Sequence, residues 1–205
     1  MIFETILCIA AHPDDIELGM GGTLSLLRKK NKKVYIIINY IPSSKKKRIH
    51  EIYDSMKIYN IPNENIIIND FYKLNNREQI KCIDECLDKV MPTQVFTHYK
   101  NDTHQEHRNI FDIVNICCRR RKLSLFMWEN NVIGGLLLKP FHPNYFIQLD
   151  DKNINDKINS WLCHKSQNKK YPDLRSIILK KAELWGFKCI TNYAEAFISI
   201  RIIYQ

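Results

Sequence analysis

The chain has 205 residues, of which 45% are hydrophobic and 26% charged, ordinary values for a globular protein that exclude a disordered, collagen-like or coiled-coil chain. This length fits one hydrophobic core, so we predict a single domain over residues 1–205. Lysine and arginine exceed aspartate and glutamate by 31 − 22 = +9. The basic residues are spread along the chain, which favours a solvated basic surface over a nucleic-acid-binding module, although the excess admits an anionic partner.

Short apolar segments alternate along the chain with amphipathic segments of helical length. Six apolar segments are predicted as strands: Thr5–Ala11, Lys33–Tyr40, Asn65–Asn69, Gln94–His98, Leu123–Glu129 and Tyr145–Leu149. Four segments between them are predicted as helices: Leu18–Lys30, Lys46–Tyr59, Arg77–Val90 and Gln105–Arg120. This alternation predicts an α/β, Rossmann-like single domain with a mostly parallel sheet flanked by helices.

The last third of the chain has a different pattern. Asp150–Gln167 and Leu174–Trp185 are predicted as helices, and Ala196–Ile203 alternates like a strand at or near a sheet edge. The only dense charge run, Lys45–Arg48 (KKKR), is interpreted as a solvated loop or helix start, with contact to an anionic ligand as the alternative.

Seven cysteines are present, and none forms a C-x-x-C pair. No apolar run approaches the roughly 18 residues that a membrane-spanning helix needs, and the first residues lack the pattern of a signal peptide. We therefore expect reduced thiols, no membrane span and a cytoplasmic location, with a homo-oligomer as one possible assembly.

Ligands of open parallel sheets bind outside the carboxyl ends of the strands, so residues that carry chemistry should follow predicted strands. His12, Asp14 and Asp15 follow the first strand, where Pro13 fixes the turn. Because adjacent residues point in different directions, one aspartate can ligate a metal while the other accepts a proton. The alternative is that Asp14 or Asp15 only caps the next helix.

A second polar cluster follows the predicted strand Gln94–His98. His104 and His107 are three residues apart at a predicted helix start, so both can face the same side. Two histidines and a carboxylate, with a fourth position open to water, form a catalytic zinc set, whereas a structural site is closed and usually contains several cysteines. The alternative is a pair of surface histidines, but the two clusters together favour a metal site.

The segment AHPDDIELGMGGTL at residues 11–24 resembles the signature of the LmbE-like, or PIG-L, family of zinc-dependent de-N-acetylases, which act on N-acetylglucosamine-type sugars. Further segments resemble family motifs in the same order: R-x-x-E at Arg48, NDTHQEHR at residues 101–108, HKSQ at His164 and YAEAF at Tyr193. The resemblance therefore spans nearly the whole chain.

Carried over position by position, the resemblance implies that His12, Asp15 and His107 bind zinc, with another divalent metal as the alternative, and that Asp14 is the general base. It implies that His104 lies near the acetyl group, where it stabilises the oxyanion or protonates the leaving amine. It also implies that Arg48 contacts the substrate.

The expected reaction is hydrolysis of the acetyl amide of an amino sugar, with release of acetate. The substrate class extends from sugar nucleotides and glycoconjugate precursors to small glycosides, and the alternative is another N-acyl compound of a natural-product or cell-envelope pathway. IPSSKKKR replaces the small and acidic residues that the family usually has before the arginine. We therefore expect specificity to depend on the loops around Arg48 and Ile133–Phe141.

The glycines Gly19, Gly21 and Gly22 do not have the spacing of a dinucleotide fingerprint, G-x-G-x-x-G. We interpret them as positions where the backbone packs closely near the metal site. Glu17 is interpreted either as a partner of the site or as a helix-start acid. For His164, a helix-end position and a position near the site both stay open.

Overall fold

A seven-stranded sheet runs through the protein, whose computed structural model describes residues 5–42, 44–130 and 137–203. The strands in chain order are β1 (Thr5–Ala10), β2 (Lys33–Ile38), β3 (Ile66–Ile68), β4 (Gln94–His98), β5 (Ser124–Trp128), β6 (Tyr145–Leu149) and β7 (Tyr193–Arg201). The α-helices are α1 (Asp15–Lys29), α2 (Lys45–Ile58), α3 (Asn76–Val90), α4 (Gln105–Cys118), α5 (Asp151–Leu162), α6 (Lys165–Asn168) and α7 (Leu174–Lys188).

The spatial order of the strands is β3-β2-β1-β4-β5-β7-β6. The strands β1 to β5 are parallel to one another, whereas β7 runs antiparallel between β5 and β6. The chain proceeds outward from β1 through β2 to β3 and then resumes on the other side of β1 with β4. This reversal leaves a crevice at the carboxyl ends of β1 and β4, the usual ligand position in such sheets. The predicted α/β fold is confirmed.

Two hydrophobic cores lie on opposite faces of the sheet, and β1 contributes to both. Its alternating side chains divide between the faces: Ile6 and Cys8 pack with α1 and α2, whereas Leu7 and Ile9 pack with α3 and α4. Because helices cover both faces, β1 has no water-facing side, which explains why it is an uninterrupted apolar run. This rigid strand holds the polar residues that follow it.

The structure differs from the sequence prediction mainly after β6. The single helix predicted for Asp150–Gln167 is wrong, because the chain turns at His164 between α5 and α6. The His164 ring is buried and its Nε2 lies 2.8 Å from Glu17 Oε1, so a side chain needed inside the protein interrupts the helix. The predicted late strand is confirmed, and β7 lies one strand in from the edge strand β6.

The glycine-rich stretch of α1 packs closely against its neighbours, as predicted. A Cβ atom on Gly19 would lie 2.4 Å from Cδ1 of Trp128, and one on Gly22 would lie 2.4 Å from Cδ1 of Leu149. At Met20 the backbone leaves helical geometry, with φ of −149°. The glycines therefore serve packing, and no nucleotide site is needed to explain them.

A buried ion pair holds α1 in position. Lys157 Nζ lies 2.5 Å from Glu195 Oε1 and also donates to the carbonyl of Leu18 at 2.9 Å. The Glu195 carboxylate accepts two backbone N–H groups of α1, from Gly22 at 3.0 Å and from Thr23 at 2.6 Å. The YAEAF segment thus supplies an anchor for the helix that starts at the predicted metal site.

All seven cysteines are free thiols in the structure. Cys8, Cys117 and Cys118 are buried, and the others are partly exposed. Among the helices of the described ranges, none has both the length and the apolar character needed to cross a bilayer.

Candidate metal centre

The first half of the site is the turn between β1 and α1. Asp14 has a left-handed backbone conformation, with φ of 95°, and its side chain makes no capping hydrogen bond within the described residues. The carboxylate of Asp15 instead turns back over the turn, where Oδ2 accepts the backbone N–H of His12 at 2.6 Å. The interpretation of these aspartates as simple helix caps is therefore wrong.

The second half of the site is the connection from β4 to α4. Asp102 Oδ1 accepts the backbone N–H of His104 at 2.8 Å, which fixes the start of α4. Its other oxygen, Oδ2, lies 2.9 Å from Nδ1 of His107. His107 is buried, so for this residue the surface-histidine alternative is wrong, whereas the His104 side chain is 52% exposed.

The structure brings the three predicted ligands together. His12 Nδ1 lies 3.3 Å from His107 Nε2 and 3.4 Å from Asp15 Oδ2, and His107 Nε2 lies 3.3 Å from Asp15 Oδ1. A tetrahedral zinc ion with bonds of about 2.0–2.1 Å separates its ligand atoms by about 3.3–3.4 Å. The two imidazole nitrogens have this spacing, and each faces a different oxygen of the Asp15 carboxylate at a similar distance, so the chemistry and spacing of the set suit a zinc-sized cation.

The charges around the donor atoms also favour a cation. Burial opposes a charge on the imidazoles, but Asp15 and Glu106 outweigh it and raise the pKa of His12 to about 9. Asp15 and Asp102 likewise outweigh burial and raise the pKa of His107 to about 10. Burial acts to raise the pKa of Asp15, but the nearby imidazoles of His107, His98 and His12 hold it well below its usual value. Metal binding would take the place of these protons.

Two more histidines lie near the three ligands. A nitrogen of His104 and one of His98 each come within 4.8 Å of donor atoms of the set. His98, which the sequence analysis did not single out, accepts the backbone N–H of Ala11 through Nε2 at 2.8 Å, so that nitrogen is engaged by the protein. Its ring stacks on that of His107 with centroids 4.0 Å apart, and His98 therefore supports this ligand.

The side chain of each predicted ligand is hydrogen-bonded to a further residue that was not predicted from the sequence. Glu106 Oε2 lies 2.5 Å from Nε2 of His12, and Asn130 donates to Oδ1 of Asp15 at 2.8 Å. Asp102 holds Nδ1 of His107 as described above. Such partners fix the ring orientation and raise the basicity of ligating histidines. The signal for Asp102 and Glu106 was present, because each acid lies within two residues of a histidine of the pair, whereas Asn130 carries no pattern.

We expect Asp102→Ala to weaken metal binding by about 10–100-fold, because His107 loses the acceptor that orients its ring. The affinity is measured by competition with a chromophoric chelator. Thr103→Ala, at the exposed neighbouring side chain, is the matched control and should leave the affinity unchanged. Equal affinities of the Asp102→Ala protein and the wild type would contradict this role.

Arg48 lies on the other side of the turn that carries Asp14. In the KKKR run, the first three lysines form the exposed start of α2, whereas Arg48 is only 3% exposed. Its Nη2 donates to the carbonyl of Pro13 at 2.5 Å and to Oδ1 of Asp14 at 3.1 Å, and Nη1 donates to Ser166 Oγ at 3.3 Å. The R-x-x-E and H-x-S-Q segments thus contact each other through Arg48 and Ser166, next to the turn that carries Asp14.

The carboxyl group of Asp14 is almost enclosed. Burial raises the pKa of Asp14 to about 6, although the charges of Arg48 and His164 act in the opposite direction. The pKa of Glu17 shifts in the opposite direction: although burial acts to raise it, the pairing with His164 and the hydrogen bond from Ser55 Oγ at 2.5 Å lower it. Asp14 is therefore held in one geometry, and its pKa lies closer to neutral pH than that of an exposed aspartate.

An open groove of about 570 Å³ borders the centre at His104 and Glu106. Its other lining residues are uncharged hydrogen-bonding side chains: Tyr40, Asn76, Gln79, Gln105 and Asn109. The first part of the Ile133–Phe141 loop, predicted to influence specificity, lies outside the described residues.

Residues 7–118 match the sequence profile of the PIG-L family, described as GlcNAc-PI de-N-acetylase. The chain is also similar to a curated protein of Escherichia coli (strain K12), the uncharacterized deacetylase YaiS. The two are 27% identical over an alignment of 126 residues that covers 56% of this chain and 68% of that protein.

Two solved structures have the same fold as this chain. The conserved protein TT1542 from Thermus thermophilus superposes with a TM-score of 0.82 at 21% identity, over 98% of this chain and 96% of the other. The N,N'-diacetylchitobiose deacetylase from Pyrococcus horikoshii gives a TM-score of 0.79 at 19% identity, over 96% of this chain and 84% of the other. At these identities the likeness establishes a shared fold.

Proposed function

This chain belongs to the PIG-L family of GlcNAc-PI de-N-acetylases, and on that premise we propose that it is a metal-dependent hydrolase that removes the acetyl group from an N-acetylated amino sugar and releases acetate. The carrying observation is the convergence of His12, Asp15 and His107, whose donor atoms lie 3.3–3.4 Å apart. Because proteins of one fold catalyse many different reactions, the geometry of this site supports the proposed function more strongly than the fold does.

Zinc is the proposed metal, held by His12, Asp15 and His107. A set of two imidazoles and one carboxylate suits zinc in a catalytic site, although other divalent ions accept similar ligands. When bound, zinc supplies Lewis acidity toward the acetyl carbonyl and lowers the pKa of water to about 7.

Asp14 is the proposed general base. Its carboxylate takes a proton from the attacking water, and its pKa of about 6 suits proton uptake near neutral pH. Arg48 holds Oδ1 of this carboxylate at 3.1 Å, so we propose that Arg48 positions Asp14 in addition to any contact with the substrate. Attack forms the new C–O bond, and cleavage of the C–N bond yields acetate and an amine.

His104 is proposed to act on the side of the groove. Its ring lies 4.7 Å from that of His12, centroid to centroid, and half of its side chain faces solvent. From there it can donate a hydrogen bond to the oxygen that becomes negative during attack, or a proton to the leaving amine.

The groove beside His104 supports a hydroxyl-rich sugar as the substrate. The amide and phenol groups of the groove offer donors and acceptors to sugar hydroxyls. Among the described residues, Glu106 is the only carboxylate that lines the groove, and no lysine or arginine lines it. We therefore propose an uncharged N-acetylglucosamine-type unit at this position. The P. horikoshii protein, by its name a deacetylase of N,N'-diacetylchitobiose, provides a precedent on the same fold.

We propose a cytoplasmic location. The seven free cysteines suit a reducing compartment, since an oxidising one favours pairing of exposed thiols.

The test is acetate release from a panel of N-acetyl sugars by the zinc-loaded protein. We expect release of acetate and free amine in equal amounts from at least one sugar, loss of activity with a chelator, and recovery on addition of zinc. No release from any sugar by a protein shown to bind zinc would contradict the proposal. Release of another acid from a non-sugar amide, identified by mass, would assign the alternative amidase activity.

A further inference from the structure

The end of α7 carries large apolar side chains that no described residue covers. Leu184 is 52% exposed, Phe187 83% and Ile190, in the following turn, 98%. The opposite side of this helix is buried in the core through Ile178 and Trp185. The helix is thus apolar on its solvent side as well as on its core side, which is typical of a helix that meets a partner there.

Ile190 is held in an unfavourable conformation, although its side chain is 98% exposed and packs against none of the described residues. Its φ is 59°, in the left-handed region, and it follows α7 in a Schellman turn, where Thr191 N donates to Gly186 O at 3.0 Å and Ile190 N to Phe187 O at 3.3 Å. Glycine or asparagine is usual at this position, and a β-branched residue there is an outlier. Packing within the protein does not account for an isoleucine here, so its exposed side chain points to an outside contact.

The charges around this apolar tip, defined as Leu184, Phe187 and Ile190, are mainly basic: two exposed lysines lie beside it, together with one exposed carboxylate, that of Glu183. Lys180 lies one turn before Leu184 on the same face, and Lys188 lies beside Phe187 with Nζ 4.7 Å from the centre of the Trp185 ring. Both lysines are exposed. Exposed apolar residues flanked by lysines suit the interface of an anionic bilayer, where the apolar groups enter the acyl boundary and the lysines meet the headgroups.

The tip and the metal centre share one edge of the sheet. Phe197 of β7 pairs with Trp128 at the carboxyl end of β5, so the preceding residues of β7 and the turn before them extend past this end. The link is also direct: Lys181 of α7 contacts Glu129 at 2.9 Å, and the next residue, Asn130, donates to Asp15. A surface that meets the tip therefore lies alongside the site.

We propose that the apolar tip, together with Lys180 and Lys188, docks the protein on the surface of an anionic phospholipid bilayer and turns the metal-site edge toward the headgroups. Binding is measured without substrate, so the proposal stands or falls separately from the deacetylase activity.

The test is sedimentation of the full chain with vesicles of equimolar phosphatidylcholine and phosphatidylglycerol, and with vesicles of phosphatidylcholine alone. We expect the wild type to bind the anionic vesicles and to lose binding at high salt. Phe187→Ser should lower the partition coefficient on the order of tenfold, since one aromatic side chain no longer leaves water. Ile190→Gly should also lower it while raising the melting temperature, because glycine accepts the left-handed conformation.

Met91 offers a matched control, because it is 77% exposed and left-handed, with φ of 46°, at the end of α3. It precedes β4 and so lies at the opposite edge of the sheet. Met91→Ser should leave vesicle binding unchanged. No binding by the wild type, or equal losses in the Met91 and Phe187 variants, would overturn the proposal. A wild-type dimer that Phe187→Ser makes monomeric, with no vesicle binding, would instead assign the tip to a subunit interface.

Discussion

Asp14→Asn is expected to lower kcat/KM for acetyl hydrolysis by about 10²–10⁴ and to leave the bound metal in place, because it removes the proton acceptor and no ligand. The substitution keeps the shape of the side chain, although it removes the negative charge that faces Arg48. Asparagine tolerates the left-handed conformation that Asp14 adopts at φ of 95°, and its amide oxygen can still accept from Arg48. The amide cannot take up the proton of water.

The measurement is acetate release together with metal content by elemental analysis. Asp15→Asn is the matched control, since it neutralises the adjacent carboxylate, which contacts both His12 and His107. This control should lose metal as well as activity. A metal-free Asp14→Asn protein would show that the two aspartates have exchanged roles, and full turnover in that variant would exclude Asp14 as the base.

The parallel part of the fold could be predicted because its strands are buried on both faces. Such strands are short apolar runs with amphipathic segments between them, and β1, β2 and β4 all have this pattern. The position of β7 between β5 and β6 could not be predicted, since strand order depends on contacts between distant segments. The break at His164 was missed for a similar reason, because only its buried partner Glu17 explains it.

The place of the candidate site could be predicted because its residues follow strands that end at one edge of the sheet, whereas the assignment of His12, Asp15 and His107 as ligands came from the family resemblance. The residues that orient them are visible only in three dimensions. Asn130 reaches Asp15 across 115 positions of the chain, and no local pattern records that contact. Arg48 is the buried member of an otherwise exposed basic run and pairs with Asp14. The composition of the run does not indicate which of its four basic residues is buried.

Lys157→Met is expected to lower the free energy of unfolding by about 3–5 kcal/mol, since it leaves the Glu195 carboxylate buried without its cation. Both side chains of this pair are less than a tenth exposed, at 8% and 5%. Lys29→Met is the matched control: its ion pair with Asp150 is 60% and 48% exposed, and its loss should change stability by less than about 1 kcal/mol.

Urea unfolding in the presence of a chelator measures this effect, because bound metal would add stability by mass action and mask part of the loss. Combining Lys157→Met with Glu195→Gln should recover part of the stability, since no unpaired charge then stays buried. Equal losses in the Lys157 and Lys29 variants would show that the buried pair does not hold α1. Confirmation would mean that the Lys157–Glu195 pair stabilises the fold at the point where Glu195 accepts two backbone N–H groups of α1, the helix whose first residue is Asp15.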